Sequence, residues 1–138
     1  MLKILEPGFF LAMTRLLTLP SIFALLLVAL AQTGGFTPQA ERGRALSLEL
    51  CAACHGASLA GRYGPPLTGP RFLEHWKGKS AGELRQFIAR RMPLGRAGIL
   101  NETQTLELVA YILQANGYPA AGAELRTDGL DRLVIGGP

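Results

Sequence analysis

The sequence predicts an all-α domain with three to four main helices. Three observations support this prediction. Apolar residues recur at helical spacing in stretches that start near Gln39, Ser80 and Asn101. Two of these stretches open with a capping box, in which Ser or Asn is followed three residues later by Glu or Gln. Alternation of apolar and polar residues, which is typical of a half-buried strand, is nearly absent from the chain.

The first 31 residues have the pattern of a secretory leader. A basic start precedes the uncharged run Leu16–Ala31, and Ala29-Leu30-Ala31 has the small-x-small form of a cleavage site. We therefore expect residues 1–31 to be a signal peptide and the protein to be periplasmic. The alternative is an uncleaved membrane anchor. The run has 16 residues, fewer than the roughly 18 that indicate a spanning helix, and Pro20 interrupts it.

Removal of the leader would leave residues 32–138, one small domain whose last part, 120–138, is expected to be a C-terminal tail. The 14 basic and 10 acidic residues of the whole chain fall to 12 and 9 when Lys3, Arg15 and Glu6 are removed, a net charge of +3. No basic run is interleaved with aromatic residues, so nothing indicates nucleic-acid binding. A membrane would be a partner only if the leader were uncleaved.

The first helix of the domain is expected from Pro38 to the cysteine motif that follows. Thr37 precedes it as the N-cap, and proline at the first helical position is well tolerated. Gly43 lies inside this helix, where glycine is less stable than alanine. We expect another helix to cross closely over Gly43, since the chain contains a second strong helix that could do so.

The motif Cys51-Ala52-Ala53-Cys54-His55 has the C-x-x-C-H spacing that attaches a c-type haem. Two thiols on one side of a helical turn can each add to one vinyl group of the same porphyrin, and the histidine that follows can bind the iron from one face. The chain has no other cysteine. A thiol–disulfide redox pair is the alternative, but it usually occurs in a βαβ context. A zinc site would need more ligands than the motif and the distant His75 provide.

Glycines and prolines are frequent in residues 57–78, so we expect a loop without long regular structure. A loop of this length in a small domain is usually functional or wrapped round something. Leu67, Phe72 and Trp76 are spaced through it as apolar anchors. We expect all three in the core, packed against the porphyrin.

The second strong helix opens at Ser80, where Glu83 completes the capping box, and Arg85 and Arg90 are expected in solvent. It must end near Arg91, because the proline at position 93 disfavours helical geometry at the residue before it.

Met92 is the only methionine of residues 32–138, and it lies beside Pro93 in an extended segment. We expect its thioether to bind the iron opposite His55, because a histidine–methionine pair raises the reduction potential and suits reversible one-electron transfer. Ligation by His75 and an open sixth position are the alternatives.

The last helix is expected to begin after Asn101, whose capping box is completed by Gln104, and to end at Asn116-Gly117. Beyond it, three apolar residues of the tail are expected to lie against the body of the domain: Leu130, Leu133 and Ile135.

Taken in this order, the motifs resemble those of the class I cytochromes c. The resemblance covers nearly all of residues 39–125 and is carried by CAACHG at 51–56, GPPLTG at 64–69, the Met-Pro pair at 92–93 and VAYILQANG at 109–117. It implies a class I cytochrome c fold, with the helices wrapped round one covalently attached haem. Cys51 and Cys54 would carry the thioethers of the haem c, and His55 and Met92 would be its axial ligands.

The resemblance also implies roles for residues around the haem. Pro65 matches the residue whose carbonyl accepts the Nδ1 proton of His55, a contact that orients the ring. Leu67 belongs to the same loop motif, and Trp76 matches an aromatic residue that hydrogen-bonds a propionate. Gly43 and Tyr111 fall where the terminal helices of the family cross.

These features predict a periplasmic one-electron carrier that is not an enzyme by itself, because a six-coordinate iron leaves no site for substrate. Residues 72–76 and 116–125 are similar to small cytochromes associated with quinoprotein (PQQ-dependent) dehydrogenases. The expected partners are a donor such as a dehydrogenase and an acceptor such as a terminal oxidase or another cytochrome. A subunit stably bound to a quinoprotein dehydrogenase is the alternative, and an open-site haem enzyme or gas sensor is another. Eight basic residues between Arg62 and Arg96, against two glutamates, could steer docking.

Overall fold

The computed structural model describes residues 37–119 and 124–136. The predicted signal peptide, residues 1–31, and part of the predicted tail lie outside the described residues. Within the described ranges, no helix is long and apolar enough to cross a membrane.

Five α-helices and one 3₁₀ helix make up the described part of the chain. They are α1 (Pro38–Leu50), α2 (Ala52–His55), α3 (Pro70–Trp76), α4 (Ala81–Arg91), α5 (Glu102–Ala115) and the 3₁₀ helix Thr127–Arg132. Over residues 37–119 and 124–136 there is no strand, only an isolated antiparallel bridge between Ser80 and Val134. The all-α prediction is confirmed.

The predicted helix starts are confirmed at all three long helices. The Thr37 hydroxyl accepts a hydrogen bond from the Ala40 amide at 3.2 Å, with proline in the first turn of α1. At the start of α4 and of α5 the capping box is complete in both directions. The cap residues are Ser80 with Glu83, and Asn101 with Gln104. Because each cap satisfies amides that have no partner inside the helix, the polar sequence signal fixes where these helices begin.

Helices α1 and α5 cross with almost no space between their backbones at Gly43. A Cβ atom built on Gly43 would overlap the carbonyl oxygen of Glu107 and come within 3.0 Å of Tyr111 Cβ. Only glycine allows this approach. The predicted close crossing is confirmed, and Gly43 and Tyr111 both take part in it.

Three expectations need correction. The loop predicted for residues 57–78 contains α3, a seven-residue helix that Pro70 begins and that buries Phe72 and Trp76. The tail contains a 3₁₀ helix, which its weak pattern did not indicate. Arg85 is not fully in solvent: it is half-buried, and its Nε atom is buried without a hydrogen-bond partner among the described residues.

Candidate haem-binding site

A cavity of about 630 Å³ opens between the helices, within the range of roughly 300–1,000 Å³ that is typical of ligand sites. The structure brings seven site residues predicted from the sequence into its wall: Cys51, Cys54, His55, Pro65, Leu67, Trp76 and Met92. Most of the remaining wall is apolar. Half of its residues come from α4, α5 and the segment between them, for example Leu84, Ile88, Leu108 and Ile112. Such a wall suits a large flat apolar ligand.

The cysteine motif is folded as a tight helical turn at the end of α1. Cys51 breaks the helix, and its carbonyl accepts hydrogen bonds from the amides of Cys54 at 3.1 Å and His55 at 2.9 Å. No disulfide joins the two cysteines; Cys51 is half-buried and Cys54 is exposed. Both therefore reach the same cavity from one turn of backbone, as attachment to a single porphyrin requires.

Burial raises the pKa of the Cys51 thiol, although a hydrogen bond with the buried Ser47 opposes the shift. Reactive thiols in redox pairs have a lowered pKa. The surroundings of Cys51 therefore give no support to the dithiol redox pair. Among residues 37–119 and 124–136, no group of three or more His, Cys, Asp or Glu side chains is arranged to hold a metal ion.

The ring of His55 is held by the loop that follows the motif. Its Nδ1 donates a hydrogen bond to the Pro65 carbonyl at 2.7 Å, and the residue is only 8% exposed. A carbonyl can only accept, so the proton must be on Nδ1 and the lone pair on Nε2, the atom that can bind a metal. A Cβ on Gly64 would lie 2.9 Å from the ring carbon Cε1. A side chain at position 64 would therefore collide with the His55 ring, and glycine avoids the collision. The predicted contact between His55 and Pro65 is confirmed.

Asn116 ties this loop to the end of α5. Its side-chain amide accepts a hydrogen bond from the Gly69 amide at 2.9 Å and donates one to the Leu67 carbonyl at 2.9 Å. The sequence indicated Asn116 only as a helix stop. Its further role in holding the loop could not be found from the sequence, because the partners lie 47 and 49 residues away.

Trp76 lies at the end of α3 in a group of aromatic rings on the cavity wall. Its ring meets the Phe87 ring edge to face, with centroids 5.6 Å apart. The centroid of the Phe72 ring lies 6.3 Å from that of Trp76. The Lys79 ammonium lies 4.9 Å from the centre of the Trp76 ring, a favourable cation–π arrangement. The indole is thus fixed on several sides and 7% exposed.

Met92 follows α4 directly, with extended backbone angles (φ −119°, ψ 149°) and a cis peptide bond to Pro93. It is half-buried and lines the cavity. His75 also reaches the cavity wall, but it is an exposed residue of α3 whose ring meets the edge of Trp76 at 5.7 Å. The sequence favoured Met92 over His75 because the proline that ends the helix beside Met92 is a local signal. The exposure of His75 is decided by packing.

Sequence reasoning missed several residues of the site. Tyr63 and Leu94 line the cavity and yet are 81% and 85% exposed, so they form part of its mouth. Arg71 and Phe87 also belong to the wall. The available signal for Leu94 was a large apolar residue between Pro93 and Gly95 in a predicted loop.

Comparisons with known proteins agree with this site. Residues 40–116 match the family model described as Cytochrome c. A thiosulfate dehydrogenase from Psychrobacter arcticus is 27% identical over 82 residues, which are 54% of this chain and 25% of that protein. The match thus spans about a quarter of the length of that relative.

Among solved structures, the sulfane dehydrogenase SoxCD from Paracoccus pantotrophus is similar, with a TM-score of 0.56 and 21% identity over 76% of this chain and 62% of that one. At this identity the likeness concerns the fold. The family match covers more than half of the chain and contains the cysteine motif, His55 and Met92. From its motifs, its fold and this match, the chain belongs to the cytochrome c family.

Proposed function

We propose that this protein is a periplasmic one-electron carrier with a single haem c, held by Cys51 and Cys54 and ligated by His55 and Met92. The observation that carries the proposal is that all seven residues predicted for the site line one apolar cavity. The predicted export signal supports a periplasmic location, because residues 1–31 have the basic start, apolar run and small-x-small ending of a leader.

When bound, haem c supplies one iron that takes up and releases a single electron. The residues of this chain would set how readily it does so. His55 would ligate through Nε2 while Pro65 fixes its ring. A thioether from Met92 would favour the reduced state more than a second imidazole would. The apolar wall would keep water from the iron and limit reorganisation when the charge changes.

Exchange of the electron would take place at the mouth of the cavity. Tyr63 and Leu94 present exposed apolar surface there. Three cations are linked to the wall: Arg71 lines the cavity, Lys79 lies over Trp76, and Arg62 lies 4.8 Å from the centre of the Tyr63 ring. This combination suits a short-lived complex with a partner whose docking surface is acidic.

A second candidate function is a redox subunit that stays bound to a dehydrogenase. The favouring observation is that a thiosulfate dehydrogenase and a sulfane dehydrogenase are both among the similar proteins. A dehydrogenase of inorganic sulfur compounds is therefore a candidate donor beside the quinoprotein dehydrogenases that the sequence suggested. Elution of the haem protein at high molecular mass from native extract, together with such an activity, would support the subunit; elution at its own mass would support the free carrier.

The ligand assignment is tested by Met92→Ala in the purified haem protein. The oxidised protein is expected to lose the sulfur-to-iron charge-transfer band, its reduction potential is expected to fall, and the reduced protein is expected to bind carbon monoxide rapidly. Ile99→Ala, at an exposed position of the same loop that does not line the cavity, is the matched control and should change none of these. An unchanged spectrum in Met92→Ala would refute the ligand assignment. Rapid carbon monoxide binding by the unmodified protein would instead support an open-site enzyme or sensor.

A further inference from the structure

The described part of the tail, residues 124–136, lies beyond the family match, which ends at residue 116. It is nevertheless part of the fold. Leu130 and Ile135 are 1% and 0% exposed, and Leu133 packs at the edge of the core. Because the tail buries two large aliphatic side chains completely, it contributes to the packing of the domain. The two places to which it is attached suggest what it does.

The tail is attached at its start to α1. Gln39 is 4% exposed, and its side-chain amide pairs with the backbone of Leu125 in both directions. Nε2 donates to the Leu125 carbonyl at 3.0 Å, and Oε1 accepts from the Leu125 amide at 2.7 Å. Arg42 adds an ion pair with Glu124 at 2.7 Å. This end is therefore fixed to the helix that crosses α5.

The tail is attached at its other end to the connection between α3 and α4, residues 77–80, and to Ala81, the first residue of α4. The Gly78 amide donates to the Ile135 carbonyl, the Ile135 amide donates to the Lys79 carbonyl, and the Ala81 amide donates to the Leu133 carbonyl, each at 2.8 Å. The connection follows directly on Trp76 and leads into the helix that ends at Met92. Both helices that it joins contribute to the cavity wall.

The 3₁₀ helix between the two attachments lies directly against the start of α4. A Cβ atom on Gly82 would overlap the Asp131 carboxylate, so this glycine lets the carboxylate approach the first turn of the helix. A carboxylate near a helix N-terminus interacts favourably with the helix dipole. The contact therefore helps to hold the N-terminal end of α4, and Met92 follows the C-terminal end of the same helix.

We propose that residues 124–136 are a positioning strap, which ties α1 to the α3–α4 connection and so holds the wall that carries Trp76 and Met92. Segments open locally according to how well they are anchored. The strap lowers the population of states in which residues 77–92 lift away from the cavity. Its effect on iron ligation rests on the proposed function, in which Met92 is a ligand; its effect on the mobility of the segment does not.

The test uses the purified haem protein with the substitution Ile135→Ala, the rescue variant Ile135→Val and the control Thr127→Ala. Thr127 belongs to the strap, but its hydroxyl bonds the exposed Glu102 side chain at 3.0 Å, away from the α3–α4 connection. Two quantities are measured: amide hydrogen exchange by peptide, and the rate at which imidazole binds to the oxidised protein.

With Ile135→Ala, exchange in residues 77–92 and imidazole binding are both expected to accelerate by about tenfold or more, while amides of α1 and α5 keep their protection. Ile135→Val should bring both rates most of the way back to those of the unmodified protein, and Thr127→Ala should change neither rate. Equal acceleration in α1 and α5, or no acceleration in residues 77–92, would overturn the proposal.

A second variant covers the case in which Ile135→Ala does not accumulate. Gln39→Leu releases the other end of the strap, and the same selective acceleration is expected, with the same contrary outcomes. If Met92→Ala shows that Met92 is no ligand, the imidazole rate no longer reports on the strap, and hydrogen exchange decides the proposal by itself. Failure of the proposed function and failure of the strap are thereby distinguished.

Discussion

Two regions of the molecule use their charged residues in opposite ways. One is the helix pair α1/α5 together with the tail, and the other is the segment 62–96 around the cavity. The four ion pairs found between described residues all lie outside residues 62–96. Arg42 alone contacts both Glu107 and Glu124. In residues 62–96, by contrast, none of the eight basic side chains forms an ion pair with a described residue. One of the two glutamates there, Glu83, is used in a helix cap.

Under the proposed function, the difference separates a region that holds the fold from a region that is available to a redox partner. In the first, backbones touch at Gly43 and charges are matched within the protein. In the second, the basic side chains form no ion pair with a described residue, and Tyr63 and Leu94 are exposed at the cavity mouth. Surface ion pairs add little stability, so leaving these charges unpaired costs the fold little and keeps them available for steering.

The largest effect is expected at the helix crossing. Gly43→Ala places a methyl group where the Glu107 carbonyl oxygen lies, so the helices must separate. The free energy of unfolding should fall by about 1–3 kcal/mol, as for other overpacked sites. Ala45→Val, at an exposed position of the same helix, is the control and should change it by about 0.5 kcal/mol or less. Equal small effects of the two variants in denaturant titration would contradict the close crossing as a source of stability.

A smaller effect is expected from charge at the cavity mouth. The double variant Arg71→Glu with Lys79→Glu should slow oxidation of the reduced haem protein by hexacyanoferrate(III), an anion, by about tenfold at low ionic strength. The double variant Arg44→Glu with Arg126→Glu has the same net charge, but its substitutions lie in α1 and the tail, outside residues 62–96. If both variants slow the reaction equally, net charge rather than its location controls the rate. Added salt should reduce the difference.

The smallest effect concerns pH and Tyr111 at the helix crossing. Burial raises the pKa of its hydroxyl. A group whose pKa is raised in the folded protein adds stability below its unfolded pKa, about 10 for tyrosine, and this contribution is lost as pH rises through the folded value. The free energy of unfolding should therefore fall less steeply above about pH 10 in Tyr111→Phe than in the unmodified protein. Parallel loss of stability by the two proteins above this pH would contradict a contribution from the buried Tyr111 hydroxyl.

Signals contained within a few residues predicted the structure best. The capping boxes at Ser80 and Asn101 mark the starts of α4 and α5 because both partners of each box lie within one helical turn. The helix α3 was missed since glycines and prolines around it dominate the local pattern, and its stability depends on burying Phe72 and Trp76 in the core. The half-burial of Arg85 was missed for a similar reason, because neighbours distant in sequence decide how far a side chain is covered.

The sequence by itself determined the all-α class, the three long helices, and the chemistry of the attachment motif, because helix periodicity, caps and C-x-x-C-H spacing are all local properties of the chain. Only the tertiary structure decided that the seven site residues share one cavity and that the tail reaches back to the α3–α4 connection. Those relations join residues as far apart as Gln39 and Leu125. Long-range packing creates them, and no local pattern of residues contains it.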